Sequence, residues 1–220
     1  MSDRLTIKET VEMLQNTAEA IVENEPLLTR IDIETGDGDH GTGMKTGFSA
    51  VSKMLKREMF QTVPQLFRAV GLKLLDEMGG ASGVLFGTLF ISGLSEFKTE
   101  DALALRDFAA ALTKSTEAIM ARGGAAVGDK TMIDSLYPAV TALREAAERG
   151  ESFEIALGKA AAAAEQGTER TKDMTAKRGR AAAFGEKSKG CYDAGAVSAG
   201  LIFKAMNEYI KLKTETKKLK

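Results

Sequence analysis

Apolar residues recur at helical spacing over most of this chain, and no stretch sustains the period-2 alternation of a strand. Leu105, Phe108, Ala109, Leu112 and Ile119 fall on one face of a helix, and Val197, Leu201, Met206 and Tyr209 suggest another near the C-terminal end. Three prolines, no tryptophan, 6% aromatics and a high content of Ala, Leu, Met, Glu and Lys favour helix over sheet. The pattern predicts eight helical segments, at about 4–23, 42–59, 64–78, 83–96, 101–122, 131–149, 152–174 and 195–213, with ends good to about 2–4 residues. Most connections are short, which makes successive helices antiparallel neighbours. The expected fold is all-α: an eight-helix antiparallel up-down barrel or bundle, one domain over residues 1–220, with a frayed basic tail over 214–220.

Alternate connections of an up-down bundle emerge at the same end. The four that follow segments 1, 3, 5 and 7 are residues 35–43, GGASG at 79–83, RGGAAVGDKT at 122–131 and the long basic KRGRAAAFGEKSKGCYDAG at 177–195. All are glycine-rich. Glycine often does no more than end a helix, but four alternate loops sharing the feature predict a functional rim. Ala160 to Ala164 permits close helix approach and is read as packing only.

Composition restricts the function classes. With 30 basic and 31 acidic residues the net charge is −1, so no global field steers the chain to nucleic acid or to an anionic membrane. The single cysteine, Cys191, cannot form a disulfide within the chain, and the opening MSDRLTIKET carries no apolar run of signal-peptide type. No stretch reaches the roughly 18 apolar residues of a membrane span. A cytoplasmic protein is expected.

The stretch TGDGDHGTGM, residues 35–44, concentrates charge where there is little bulk. Asp37 and Asp39 are walled by glycines and followed by His40, the only histidine, and Asp32 lies five residues before Asp37. Three nearby carboxylates repel unless something positive sits among them. Oxygen-only ligands suit a hard cation such as Mg²⁺ or Ca²⁺. An EF-hand beginning at Asp37 would put Phe48 at its twelfth position, where the bidentate glutamate belongs, so that calcium reading fails. Mg²⁺, held by a few carboxylates with water and phosphates completing its octahedron, fits the pattern. The plainer reading is a polar turn whose aspartates cap a helix.

The remaining loops favour the metal. GGASG precedes an apolar helix, so its N–H groups and the helix dipole make an anion site, to which Ser82 adds a hydroxyl. Lys130, Lys177, Arg178 and Arg180 offer positive charge. Two Mg²⁺ against three aspartates and a nucleoside diphosphate leave a net charge of about −2, which one or two such cations bring close to neutral. Other machinery is excluded by spacing or by ligand count. GTGMKTG at 41–47 has the ingredients but not the spacing of a P-loop, no G-x-G-x-x-G follows a strand, and one histidine and one cysteine do not make a zinc site. A Ser-His-Asp triad would have to use His40, hemmed between Asp39 and Gly41. His40 itself reads as a turn residue contacting phosphate, as a phosphohistidine carrier or as a structural hydrogen-bonding group. Lys45, on the helix after the turn, reads as solvated surface, and Met132 as core.

Taken together, GDGDHG at 36–41, GGASGVLFGTLF at 79–90, GDKTMID at 128–134 and TAKRGRAAAFGEKSKGCYDAGA at 175–196 make the chain resemble the nucleotide-binding L subunits of bacterial dihydroxyacetone kinase, over about residues 5–210. The resemblance implies a barrel of eight antiparallel amphipathic helices, with ADP or ATP at one rim through two Mg²⁺ ions. It implies Asp32, Asp37 and Asp39 as metal ligands. His40, Gly41, Thr42 and Gly43 match the phosphate turn, and Ala81 and Ser82 the second phosphate loop. Gly123 and Met132 match residues near the base, Arg180 a nucleotide contact, and Asp193, Ala194 and Gly195 the end of the basic loop. The chain departs from the family at CYDAG, where Cys191 and Ala194 stand in place of a histidine and a proline, which puts the rigidity of that loop in question; Thr42 and Gly43 also differ from a common family variant.

The implied reaction is phosphoryl transfer to the hydroxyl of a small keto-triose held on a separate K subunit, for which 220 residues leave no room. The donor is either exchanging ATP or a retained ADP rephosphorylated by a phosphotransferase-system M subunit; a free-standing L chain favours the second. Erythrulose or another small ketose is an alternative substrate. Family L chains also contact transcriptional regulators, so a non-catalytic nucleotide sensor is the main rival, and fatty-acid kinases open with similar helical domains on longer chains. No direct nucleic-acid or membrane contact is implied.

Overall fold

The computed structural model describes residues 4–218, with side chains to residue 216. Nine α-helices are present among them: α1 (Ile7–Glu23), α2 (Glu25–Thr35), α3 (His40–Leu55), α4 (Val63–Glu77), α5 (Gly80–Ile91), α6 (Leu105–Gly123), α7 (Ile133–Glu148), α8 (Phe153–Arg170) and α9 (Ala194–Lys218). Several begin where local chemistry dictates. Thr6 and Glu9 form a reciprocal capping box at α1, and the Thr62 and Ser152 hydroxyls accept from the third residue of α4 and α8.

Eight of these helices form a closed ring. α1 packs on α3, each of α3 to α8 packs on its successor, and α9 returns to α1. The interior is one continuous apolar cluster. At its heart Phe67 meets Phe97 and Phe108 at centroid distances of 5.0 and 6.0 Å, and Phe108 meets Phe153 at 6.3 Å. Each such ring, fully buried, contributes about 1.5–3 kcal/mol. The predicted face of α6, Leu105, Phe108, Ala109, Leu112 and Ile119, is buried throughout, as are Ala160 and Ala164 of α8. No helix among the described residues is long and apolar enough to cross a membrane.

Four details differ from the sequence reading. Residues 25–35 form α2, an additional helix that packs outside the ring on α3 and α9; Leu28, Ile31 and Thr35 are its buried line. A two-stranded antiparallel pair, β1 (Arg4–Thr6) and β2 (Ala102–Ala104), joins the start of α1 to the start of α6, with Leu5 opposite Leu103 and both buried. On α9 the buried line is Ala199, Ile202, Phe203, Met206 and Ile210, whereas Val197, Leu201 and Tyr209 are only half-buried. The tail expected to fray from residue 214 continues as helix through Lys218, and residues 219–220 lie outside the described residues.

Close packing at the ring depends on missing side chains. A Cβ on Gly93, in the turn after α5, would lie 2.1 Å from the Ala111 carbonyl oxygen and 2.5 Å from its Cα, all backbone of α6. Gly93→Ala is expected to cost about 1–3 kcal/mol by forcing α5 and α6 apart. Gly43→Ala, where a Cβ meets nothing within 4 Å inside α3, is expected to stabilise by up to about 1 kcal/mol through helix propensity. Urea midpoints of the two variants, moving in opposite directions, check this.

Candidate metal and nucleotide site

The acidic turn is built by Asp32. Near the end of α2 its carbonyl accepts from Gly36 N at 2.6 Å, and its carboxylate Oδ2 accepts from Gly38 N at 2.9 Å and His40 N at 3.2 Å. One side chain therefore folds residues 36–40 back over the start of α3, with Gly38 supplying the positive φ of +78° that the bend requires. The capping reading thus holds for Asp32. Asp39, in the N-cap position of α3, makes no such bond, and Asp37 and Asp39 are exposed. One carboxylate oxygen from each of Asp32, Asp37 and Asp39 lies within 4.8 Å of the others. Repulsion is offset by Arg180, whose guanidinium pairs with Asp37 and lies 3.2 Å from Asp39 Oδ2. An all-oxygen set around a point where a cationic group already sits fits a hard divalent cation.

Around this turn stand the starts of alternate helices. His40 opens α3. Its Nε2 lies 2.8 Å from the Ser198 hydroxyl on α9, its Nδ1 3.4 Å from the Ser82 hydroxyl on α5, and it has a backbone hydrogen bond with Ala194. Burial, outweighing the attraction of Asp32, lowers the His40 pKa, so the ring is neutral near pH 7. Gly41 follows, and a Cβ there would fall 2.2 Å from Thr29 Oγ1 and 2.6 Å from the Glu25 carbonyl, so glycine is what lets α3 lie on α2. Thr42 is exposed and Gly43 open. Ala81 and Ser82 lie in the first turn of α5, whose N-cap Gly79 offers no side chain to the exposed N–H groups. α9 is capped by Asp193, whose Oδ2 accepts from Ala196 N at 2.7 Å. Gly195 of α9 approaches Met132, the N-cap of α7: a Cβ on that glycine would lie 3.2 Å from Met132 Cβ. The starts of α3, α5, α7 and α9 therefore meet at one end, each turning its dipole the same way. Gly123, at the end of α6, is exposed at the next connection, where a Cβ on Gly124 would come within 4 Å of the Arg178 guanidinium.

The basic loop brings one cation to the acidic turn, within the one or two that charge balance asks for. Of the four cations offered by the sequence, only Arg180 reaches the aspartates. Lys177 Nζ donates to the Gly128 carbonyl at 3.0 Å and pairs with Asp129 at 3.3 Å; Arg178 Nε lies 3.6 Å from the same carboxylate. Lys130 is 1% exposed, and burial lowers its pKa. The helix starts add positive potential to that single arginine. Met132 is 5% exposed and belongs to the core, as its apolar setting implied.

Two groups were missed by sequence reasoning. Ser198, wholly buried, carries no sequence signal. Asp134 accepts from Thr131 N at 2.8 Å and Gly128 N at 2.5 Å, and the T-x-x-D spacing of 131–134 was its signal. At Asp193, expected at the end of the basic loop, burial, aided by Asp134 and Asp32, pushes the carboxyl up to about 7, although part of the residue remains accessible. At CYDAG the Cys191 carbonyl accepts from Lys130 Nζ at 2.6 Å; that bond uses main chain and is indifferent to cysteine replacing histidine.

Comparison with known proteins finds relatives over most of the chain. A relative in Escherichia coli strain K12, the ADP-binding subunit DhaL of PEP-dependent dihydroxyacetone kinase, is 38% identical over 171 residues, covering 78% of this chain and 81% of the relative. The corresponding subunit of kinase 1 of Listeria innocua is 34% identical over 193 residues, covering 88% and 91%. An L-erythrulose 1-kinase of Mycolicibacterium smegmatis is 34% identical, but the alignment spans only 35% of that protein. The crystal structure of the dihydroxyacetone kinase of C. freundii with AMP-PNP and Mg²⁺ superposes with a TM-score of 0.73 at 27% identity, over 93% of this chain and 34% of that one. Residues 34–208 match the DAK2 domain model, and the chain belongs to the DAK2-domain family.

Proposed function

We propose that this chain is the ADP- or ATP-binding subunit of a dihydroxyacetone kinase, cytoplasmic and formed as one nucleotide-binding domain. The observation that carries the reading is the three-carboxylate turn set among four helix starts. A metal site beside oriented N–H groups is what a nucleotide's phosphate tail requires. In this reading Asp32, Asp37 and Asp39 hold two Mg²⁺ ions, which neutralise phosphate charge when bound. The turns of His40, Gly41, Thr42 and Gly43 at α3, and of Ala81 and Ser82 at α5, face the phosphates. Arg180 pairs with phosphate, and Asp193, Ala194 and Gly195 close the other side. Gly123 and Met132 sit toward the base. The neutral His40 ring is a hydrogen-bonding group locked between two serines, which favours a positioning role over a phosphate carrier.

The chain's own contribution to phosphoryl transfer is binding, orientation and fixed electrostatics. The keto-triose is then held by a K subunit, and a phosphotransferase-system M subunit regenerates the nucleotide, in keeping with the PEP-dependent naming of the first two relatives. The sugar is chosen elsewhere: relatives named for dihydroxyacetone and for erythrulose share this unit, and the erythrulose kinase has about two-thirds of its length outside it. A nucleotide sensor that contacts a regulator uses the same site without turnover.

Asp37→Asn is expected to weaken MgADP binding at least about tenfold with unchanged helical circular dichroism; equal affinity by calorimetry would count against the metal assignment. Chelation with EDTA is expected to remove ADP binding by the unmodified protein. Mixed with a K subunit and ATP alone, the protein is expected to show at most one turnover; sustained turnover would exclude dependence on an M subunit, and none with any donor would favour the sensor.

A further inference from the structure

The segment from Thr171 to Asp193 leaves the end of α8 and returns at the start of α9, and its tip carries Arg180 to the acidic turn. Its two roots are joined directly. Gly190 N donates to the Lys172 carbonyl at 2.8 Å, and Asp193 N to Thr171 Oγ1 at 3.2 Å. A third segment also grips it. Lys130, between α6 and α7, sends its Nζ to the carbonyls of both Thr171 and Cys191, each at 2.6 Å. Its neighbour Asp129 accepts from Lys177 N at 3.1 Å through its carbonyl and pairs with Lys177 and Arg178 through its carboxylate.

Two features of Lys130 are individually unfavourable. Its long cationic side chain is almost wholly buried, and its φ is +60°, the only positive φ of a non-glycine residue among those described. Burying an ammonium group is costly unless its donors are met, and a lysine in the left-handed region is strained. Such strain collects where geometry matters for function. The αL backbone turns the side chain inward, and the side chain spans both roots.

We propose that Lys130 is a positioning residue for the nucleotide site: by tying both roots of the basic loop together it sets where Arg180 stands over Asp37 and Asp39. The proposal rests on the nucleotide reading given above, but its mechanical half does not. Lys130 touches none of the three aspartates, so its effect on binding must pass through the loop.

Two measurements test it. In metal-free protein, Lys130→Met is expected to speed tryptic cleavage at Lys177, Arg178, Arg180, Lys187 and Lys189 about tenfold, with cleavage elsewhere unchanged. By calorimetry, Lys130→Met is expected to weaken MgADP binding about tenfold in the parent but less than about twofold in Arg180→Gln, because both changes remove the same delivered guanidinium. Equal factors in the two backgrounds, or faster cleavage spread over the whole chain, would mean a general structural role and overturn the proposal. If the parent binds no MgADP, the nucleotide reading fails, and the site of cleavage alone decides for or against Lys130. Should Lys130→Met not fold, Lys130→Gln, too short to reach both carbonyls, is expected to give the same loop-confined cleavage; unchanged cleavage there would overturn the proposal too.

Discussion

Contact between α9 and α1 closes the ring, and the site depends on that closure. Ser198 reaches His40 only because the last long helix returns to the first and lies beside α3 across the rim. The packing is non-directional and apolar, yet its consequence is directional. Helices that alternate around a closed ring place every second N-terminus at one end, and four such ends give an alignment of dipoles that no single loop could assemble. The carboxylate turn lies within that field. Oriented dipoles stabilise anionic groups nearby, the aspartates and a phosphate tail alike, so the same architecture that tolerates the acidic cluster also favours its ligand.

Asp32 shows how a capping residue and a candidate ligand can be one side chain. Its Oδ2 fixes the turn by accepting from Gly38 and His40, which leaves Oδ1 for other partners. Asp37 and Asp39 have no such backbone duty and face outward to Arg180. Capping, an alternative to metal binding when only spacing is known, therefore occupies one oxygen of Asp32 and is compatible with the proposed metal binding. Exposed surface charges of this kind couple weakly in water, so the pairing with Arg180 can be replaced without unfolding anything.

Much of the architecture was legible because helical periodicity survives in large residues: the α6 face of Leu105, Phe108, Leu112 and Ile119 is buried as spaced. It failed on α9, where alanines carry much of the buried line and give little contrast, so larger half-buried residues such as Leu201 drew the face off by about one position. α2 was missed although Pro26 near its start and the 28/31/35 spacing were available, because the aspartates drew the whole stretch into a loop. The strand pair is three residues per strand, too short for alternation to register. At the site, the crowding of aspartates and the alternate glycine loops were readable. The depth of a charge was not. Lys130 and Arg180 are equivalent in composition, and only the fold shows one buried beneath the loop and the other at its tip.

That difference in depth explains how one basic segment can be both firm and responsive. Lys177 and Arg178 spend their charge on Asp129, and Lys130 spends its donors on two carbonyls, so three of the four cations hold the loop's base. Were all four at the rim, the aspartates would be neutralised internally and a metal would have to displace several partners at once. With a single arginine there, the acidic turn keeps net negative charge for a cation, and the arginine it releases is already within reach of whatever anion the cation brings. Anchoring most of the positive charge away from the site leaves that charge balance to be completed by the ligand.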